Sequence, residues 1–264
     1  MRIVVKLRHL AIAAGLAAGA ISAILAPVSA QGPQGTATNE ETSAVIGRMS
    51  KTLMGNQFSF RADTLRAYVG ANGELLHIGH TLKTVVRRPD KLLVDATGDD
   101  GSTKLIYDGK TLVIYNVAQK QYARIPVSGK IEEMLEAAEK RLGIDFPLAD
   151  LLTANPGESV LAGVTAGGQV GTVTIDGVKS RHFFFIQPPD LDMELWIKDN
   201  ERALPRRVFV KYRTLPGHPT FFAELSDWNL SVQPTDADFT FQPPAGVTEV
   251  ELKPRTDAAP ASAK

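Results

Sequence analysis

Apolar and polar residues alternate from Gln57 onward: Phe58 and Phe60 share one face of an extended chain, while Ser59 and Arg61 share the other. A period of two is the signature of a half-buried strand. The run from Gln57 to Val69 and the run from Glu74 to Arg87 flank Ala71-Asn72-Gly73, a turn that joins them into a long antiparallel hairpin. The same grammar repeats over Lys91 to Thr97, Thr103 to Tyr107, Thr111 to Asn116 and Gln121 to Pro126, with turns at Asp99-Asp100-Gly101 and Asp108-Gly109. Short strands joined by Asp-Gly turns form a meander rather than a parallel α/β sheet.

Helical spacing interrupts this pattern three times. Before the first strand, Val45, Met49, Leu53 and Met54 fall on one face of a segment from Asn39 to Gly55, which Asn39 can cap and whose positive end suits Glu40 and Glu41. Later, Ile131, Met134, Leu135, Ala138 and Leu142 recur at helical spacing behind Ser128, a possible cap, and Gly143 closes the run. Pro147 to Leu152 reads as a further short helix. Beyond Ala154-Asn155-Pro156-Gly157 the period returns to two, over Ser159 to Ala166, Gln169 to Ile175, Val178 to Gln187, Leu191 to Lys198, Ala203 to Tyr212, Phe221 to Val232 and a short Phe239 to Phe241. Ten or eleven strands against three helices predict an α+β, β-dominated chain built on one large curved antiparallel sheet.

If alternation holds, Phe58, Phe60, Val94, Leu112, Ile114, Phe184, Ile186, Leu195, Ile197, Val208, Val210, Phe222 and Trp228 mostly face one side of that sheet. Three helices are few for so wide a face. A packed core and a cavity lined with these apolar groups both satisfy the pattern, since a sheet of this many strands curls.

Composition narrows the setting. The basic start with Arg2, Lys6 and Arg8, the apolar run Leu10 to Ala26 and the small-residue end Val28-Ser29-Ala30 match an export signal cleaved near Ala30. At the low end of the length that spans a bilayer, that run makes a poor anchor. The chain has no cysteine, so it offers no site for lipoprotein acylation, no disulfide and no thiol chemistry. A periplasmic chain without a stable membrane anchor follows. The expected organisation is a signal peptide over 1–30, disordered polar ends at 31–38 and 253–264, and a single domain over 39–252. Without Arg2, Lys6 and Arg8, the 29 basic residues become 26 against 29 acidic ones. This mildly acidic body argues against nucleic acid as a partner, because such binding needs a concentrated basic face.

Catalytic and cofactor signatures are missing. The sequence has no nucleophile elbow, phosphate loop, zinc-protease motif or dinucleotide fingerprint, so no catalytic residue and no cofactor is assigned. His77 and His80, three apart on a strand, point to opposite faces and make a poor metal pair. His182, among Arg181, Phe183 and Phe184, reads as a core or edge histidine. Gly163, Gly167, Gly168 and Gly171 read as bends or bulges in the sheet, and Asp99-Asp100-Gly101 as a hairpin turn rather than a calcium loop. Arg206, Arg207 and Asp227 are candidates for pairs across strands.

Several strings in order resemble an uncharacterised periplasmic family, domain of unknown function 2092. They are Arg88-Pro89-Asp90-Lys91-Leu92, Tyr107-Asp108-Gly109-Lys110 with Tyr122-Ala123, Phe146 to Leu152, Gly177 with His182, Trp196-Ile197, Leu204-Pro205-Arg206-Arg207 and Leu225 to Asn229. More distantly, the early helix, long hairpin and Arg-Pro-x-x-Leu string resemble the lipoprotein-carrier superfamily of the bacterial envelope. That resemblance implies an open half-barrel whose concave face is plugged by helices, and a hydrophobic cavity that accepts acyl chains. The expected function is a non-enzymatic periplasmic binding protein for a lipid or acyl chain. The pocket expected for it comprises Phe58, Phe60, Val94, Leu112, Ile114, Phe184, Ile186, Ile197, Val210, Phe222 and Trp228. An interaction or envelope-stress sensor domain that holds a polypeptide from an envelope protein is the alternative, and a hydrolase centred on His182 the third reading.

Overall fold

The computed structural model describes residues 39–252; the expected signal segment and both expected disordered ends lie outside them. Helix α1 (Glu40–Leu53) begins where Asn39 accepts the Thr42 amide at 2.8 Å, carries Glu40 and Glu41 in its first turn and buries Val45, Ile46, Met49 and Leu53. Strands β1 (Gln57–Val69) and β2 (Leu75–Arg87) form the long hairpin. Its turn needs the left-handed backbone of Gly73, at φ +83°. Then come β3 (Lys91–Gly98), β4 (Gly101–Tyr107), β5 (Thr111–Asn116) and β6 (Gln121–Pro126), all antiparallel.

Helix α2 (Ile131–Leu142) ends at Gly143 in the left-handed conformation, as its sequence predicts. Its start differs from expectation: Lys130, not Ser128, holds the cap position, and Glu133 accepts the Lys130 amide at 2.9 Å. Two short helices follow, α3 (Ala149–Leu152) and α4 (Pro156–Leu161). The second replaces a strand expected from Ser159. Pro156 sits in the first helical turn, where its missing N–H costs nothing, and Val160 is buried by the turn that results.

Strands β7 (Ala166–Ile175), β8 (Val178–Gln187), β9 (Leu191–Lys198), β10 (Pro205–Tyr212) and β11 (Thr220–Asn229) complete a second meander. Gly167 in β7 is required by close approach, since a Cβ there would lie 2.5 Å from the Phe184 carbonyl oxygen. Asp236 to Phe239 is a 3-10 turn, so the short strand expected from Phe239 to Phe241 is absent, and β12 (Thr248–Glu249) closes the described chain.

All twelve strands join in one curved open sheet, ordered β12-β6-β5-β4-β3-β2-β1-β11-β10-β9-β8-β7. The two meanders meet at its middle, where β1 pairs with β11. This is the α+β curved sheet that the alternation and turns predict, and the open half-barrel that the resemblance implies. All four helices pack on one side, here called the inner face: Ile46, Met49, Met134, Leu135, Leu151 and Val160 share a core with Phe58, Leu92, Leu112, Phe183 and Leu225 of the strands. On the outer face, the segment after β11 covers β3 to β6, where Phe241 and Val247 pack on Ile106, Val113, Tyr115 and Tyr122.

Candidate functional site

The inner face and its helical roof form the larger of the two apolar clusters among the described residues, and they contain most of the residues expected to line a pocket. Phe58, Leu112 and Ile197 are fully buried, Phe60 and Val210 nearly so, and Val94, Ile114 and Trp228 are partly buried against the same core. At 0% exposure, Phe58, Leu112 and Ile197 border no space that a water molecule could enter. Around these three residues, roof and sheet are in contact.

Phe184, Ile186 and Phe222 are corrections of a different kind, because they lie on the outer face. Phe183 and Phe185 are fully buried in the inner core, opposite Leu195 and Met193 of β9, which turns Phe184 and Ile186 outward. Three consecutive phenylalanines carry no period-two signal, so only the pairing register reveals which two point inward. Phe221 and Ala223 are likewise inner, and Phe222 outer.

Trp228 shares Phe222's parity, yet reaches the inner side. Asp227 adopts φ +51°, and the β1–β11 register slips between Ser59 and Arg61, a bulge that resets the alternation. The indole then stacks on Phe60 at 4.7 Å, lies 6.0 Å from Phe58 and donates to the Pro205 carbonyl at 3.1 Å.

Polar groups tether the roof at its perimeter. Asp145, in the loop after α2, accepts from Arg66 of β1 at 2.7 Å and from the Tyr212 hydroxyl of β10 at 2.6 Å. Burial pushes the Tyr212 hydroxyl far above its ordinary pKa, and the Asp145 charge adds to the shift. Burial acts against the Arg66 charge, but Asp145 and the two neighbouring phenols outweigh it and raise the guanidinium pKa. At the opposite end, Tyr107 donates to the Gly129 carbonyl at 2.7 Å just ahead of α2. Burial and the nearby Asp90, Asp108 and Glu133 push its pKa up to about 12. Gln187 of β8 donates to the carbonyls of Val160 and Ala162, at 3.0 and 3.1 Å, and ties down the end of α4.

Arg88 tethers the roof differently. Its guanidinium lies 5.3 Å from the centre of the Phe58 ring and donates through Nη2 to the Thr153 carbonyl just after α3. Nε and Nη1 are buried without a hydrogen-bond partner among the described residues. Burial lowers the Arg88 pKa, and Glu132 opposes that shift only in part.

The outer face has a different chemistry. Arg207 pairs with Glu224 at 3.0 Å and Arg61 with Asp63 at 2.7 Å, so the pairs expected of Arg206 and Arg207 form with Asp176 and Glu224 rather than Asp227. A shallow depression of about 660 Å³ crosses this region, lined by Asp63, Thr81, Arg206, Phe222 and Glu224 among others. A second, of about 310 Å³, lies between α1 and α4 at Ser50, Met54, Asn155 and Leu161. His182 is stacked on Trp196 at 4.1 Å and bonded to Glu194 at 2.6 Å. Among the described residues, no serine or threonine hydroxyl is hydrogen-bonded to the imidazole. No group of three or more His, Asp or Glu placed to hold a metal occurs among the described residues.

Residues 42–253 match the family of domain of unknown function 2092 (DUF2092), described as a predicted periplasmic protein. The chain belongs to the DUF2092 family. Membership agrees with the periplasmic address read from the N-terminal sequence, and no helix of the described DUF2092 residues is long and apolar enough to cross a membrane. No curated protein matches this chain.

Among solved structures, the DUF2092 chain is similar to an uncharacterised conserved protein from Thermus thermophilus, at 11% identity over 80% of this chain and 99% of that one, with a TM-score of 0.47. It is also similar to lipoprotein LppX of Mycobacterium tuberculosis, at 16% identity over 73% and 97% of the two chains and a TM-score of 0.46. A LolA superfamily protein from Nitrosomonas europaea shares 11% identity over 76% of this chain and 97% of its own, at a TM-score of 0.40.

Proposed function

We propose that this DUF2092 protein is a non-enzymatic periplasmic binding protein that takes up the acyl chain of a lipid between its helical roof and the inner face of its sheet. The observation that carries this reading is the segmentation of the roof. Beyond α1, it consists of helices of 12, 4 and 6 residues, tied to the strands by polar bonds at Asp145, Thr153, Gly129 and Val160 and to α1 by the Gly157 amide, which donates to Ser50 Oγ at 3.0 Å. Pieces this short have little helical stability of their own and depend on packing. An acyl chain is apolar along its whole length and can substitute for the side chains that now fill the junction. Each methylene kept from water contributes about 0.8 kcal/mol, so a chain of roughly a dozen brings about 10 kcal/mol against the cost of parting roof from sheet.

The test is organic extraction of the purified full chain followed by mass spectrometry, together with uptake of a fluorescent fatty acid. Bound lipid in the extract, or saturable uptake, is expected. Uptake should be faster when the perimeter bond is removed in Asp145→Asn. A protein that yields no lipid and takes up no probe, with or without that substitution, overturns the reading.

A further inference from the structure

The two edges of the sheet are built differently. On one side β6 is shielded by β12, which pairs with it in parallel, and by the amide bonds from Thr248 to the Lys120 carbonyl and from Val250 to the Tyr122 carbonyl. On the other, β7 has no strand beyond it among the described residues. Its ten residues, AGGQVGTVTI, include no charge and no proline. Gln169, Val170, Thr172, Val173 and Thr174 are all exposed, with Val170 at 62% and Val173 at 41%. Alternate residues of an edge strand turn their N–H and C=O groups away from the sheet, and natural proteins usually charge, cover or shorten such an edge. Among the described residues, the edge carries a bulge between Gln169 and Gly171, where Gln169 Nε2 donates to the Gly171 carbonyl at 3.2 Å and Gln169 Oε1 accepts from Arg181 of β8 at 3.3 Å.

We propose that β7 is a docking edge that receives an extended segment of a partner polypeptide as an additional strand. The chemistry of the edge describes that segment. A row of unpaired peptide groups recognises another extended backbone. The absence of charge favours an uncharged stretch of β-branched residues that can lie against Val173 and the hydroxyls of Thr172 and Thr174. Gly171 adds a further preference. It stands opposite His182, nothing lies within 4 Å of where its Cβ would be, and the His182 ring is stacked on Trp196. A large side chain of the incoming strand can lean over that bare position onto the ring pair, as aromatic residues do across edge glycines in other sheets.

A second copy of the chain fits this edge poorly. Two β7 edges joined over ten residues would contact along about 33 Å of a sheet about 10 Å thick, burying roughly 700 Å² in total, below the roughly 1,200 Å² of a stable interface. Each would also bring its own bulge to the junction, and two fixed register breaks do not match. A flexible segment adjusts its register around one bulge and adds side-chain contacts beyond the edge.

The experiment uses the full chain and a labelled peptide, KTVTFTVTK, with KPPPPPPPK as a control that has no backbone N–H on either side between its lysines. Fluorescence anisotropy should show saturable binding of the first peptide and at least about tenfold weaker binding of the second. Hydrogen exchange of the β7 amides between Thr172 and Ile175 should slow when the first peptide is present. Charging the edge in Thr172→Lys/Thr174→Lys, both exposed positions, should weaken binding by about tenfold through repulsion of the lysine-ended peptide and disruption of the neutral row. Equal binding of the two peptides overturns the proposal, as does unchanged exchange at saturating peptide. So does protection of the β7 amides before peptide is added, whether by a second copy or by the chain's own residues 31–38.

Discussion

The inner and outer faces of this sheet are made by the same strands and stabilised by different physics. Inward, Phe58, Leu92, Leu112, Phe183, Phe185 and Ile197 are fully buried in the core that the helices share. Outward over the second meander, the rows crossing the strands are charged and half-exposed, with Glu224 standing opposite both Asp63 and Arg207. Burial of apolar surface is strong and indifferent to salt, whereas exposed ion pairs contribute little and are screened. Over the second meander, the inner face therefore holds the fold, and the outer face can change its residues at small cost.

Truncation should expose that asymmetry most clearly. Phe58→Ala removes a fully buried ring that touches Phe60, Trp228 and Arg88, and should destabilise the protein by about 3–5 kcal/mol. Phe222→Ala, on the outer face, should cost roughly 1 kcal/mol, because its ring is already partly in water. Urea unfolding of the two variants checks the contrast. Equal losses would mean that the outer row is packed as tightly as the core.

That pair of residues also marks how much of the molecule was legible in the sequence. The Asp-Gly turns, the helix behind Asn39 and the alternation around Phe58 and Phe60 each act locally, and they gave the sheet, its order along the chain and most of the inner face. Phe222 could not be placed in the same way: in Phe221-Phe222 and Phe183-Phe184-Phe185 hydrophobicity is constant, and facing is decided by partners far along the chain. Trp228 needed the bulge at Asp227, a backbone event with no compositional signature. Helix α4 hid behind Val160 and Leu161, which suit either a strand or one helical turn. The perimeter bonds of Asp145 and Arg88 join residues 65 to 79 positions apart, a distance over which no periodicity runs.

The buried Tyr107 bond to the start of the roof should respond to pH with an intermediate effect. Tyr107 is fully buried and its hydroxyl is pushed up to about 12, whereas in the unfolded chain it titrates near its ordinary value of 10.0. A raised folded-state pKa means that the stabilisation is complete below about pH 10 and is lost as pH climbs from there towards 12, at about 1.4 kcal/mol for each unit of difference between the two states. Tyr107→Phe should lower stability at neutral pH by about 1 kcal/mol, through loss of the bond to the Gly129 carbonyl, and should reduce the alkaline fall to the part that Tyr212 contributes. Thermal unfolding at a series of pH values between about 8 and 11 measures both. A parental fall that survives unchanged in the variant would place the titrating group elsewhere.

The smallest effect should come from the outer ion pairs, and its smallness is what the comparison requires. Arg207 and Glu224 are joined at 3.0 Å, but their side chains remain 32% and 31% exposed, so water and salt already screen the attraction. Arg207→Gln should therefore change stability by about 0.5 kcal/mol or less, and a double-mutant cycle with Glu224→Gln should return a coupling energy of the same order that shrinks as salt is raised. Glu224 is also 3.6 Å from Arg206, a guanidinium that is 10% exposed and pairs with Asp176, so the cycle must keep Arg206 unchanged to isolate one pair. If the coupling instead reached several kcal/mol and resisted salt, the outer row would be acting as an interior. The contrast between a face that holds the fold and a face free to vary would then collapse.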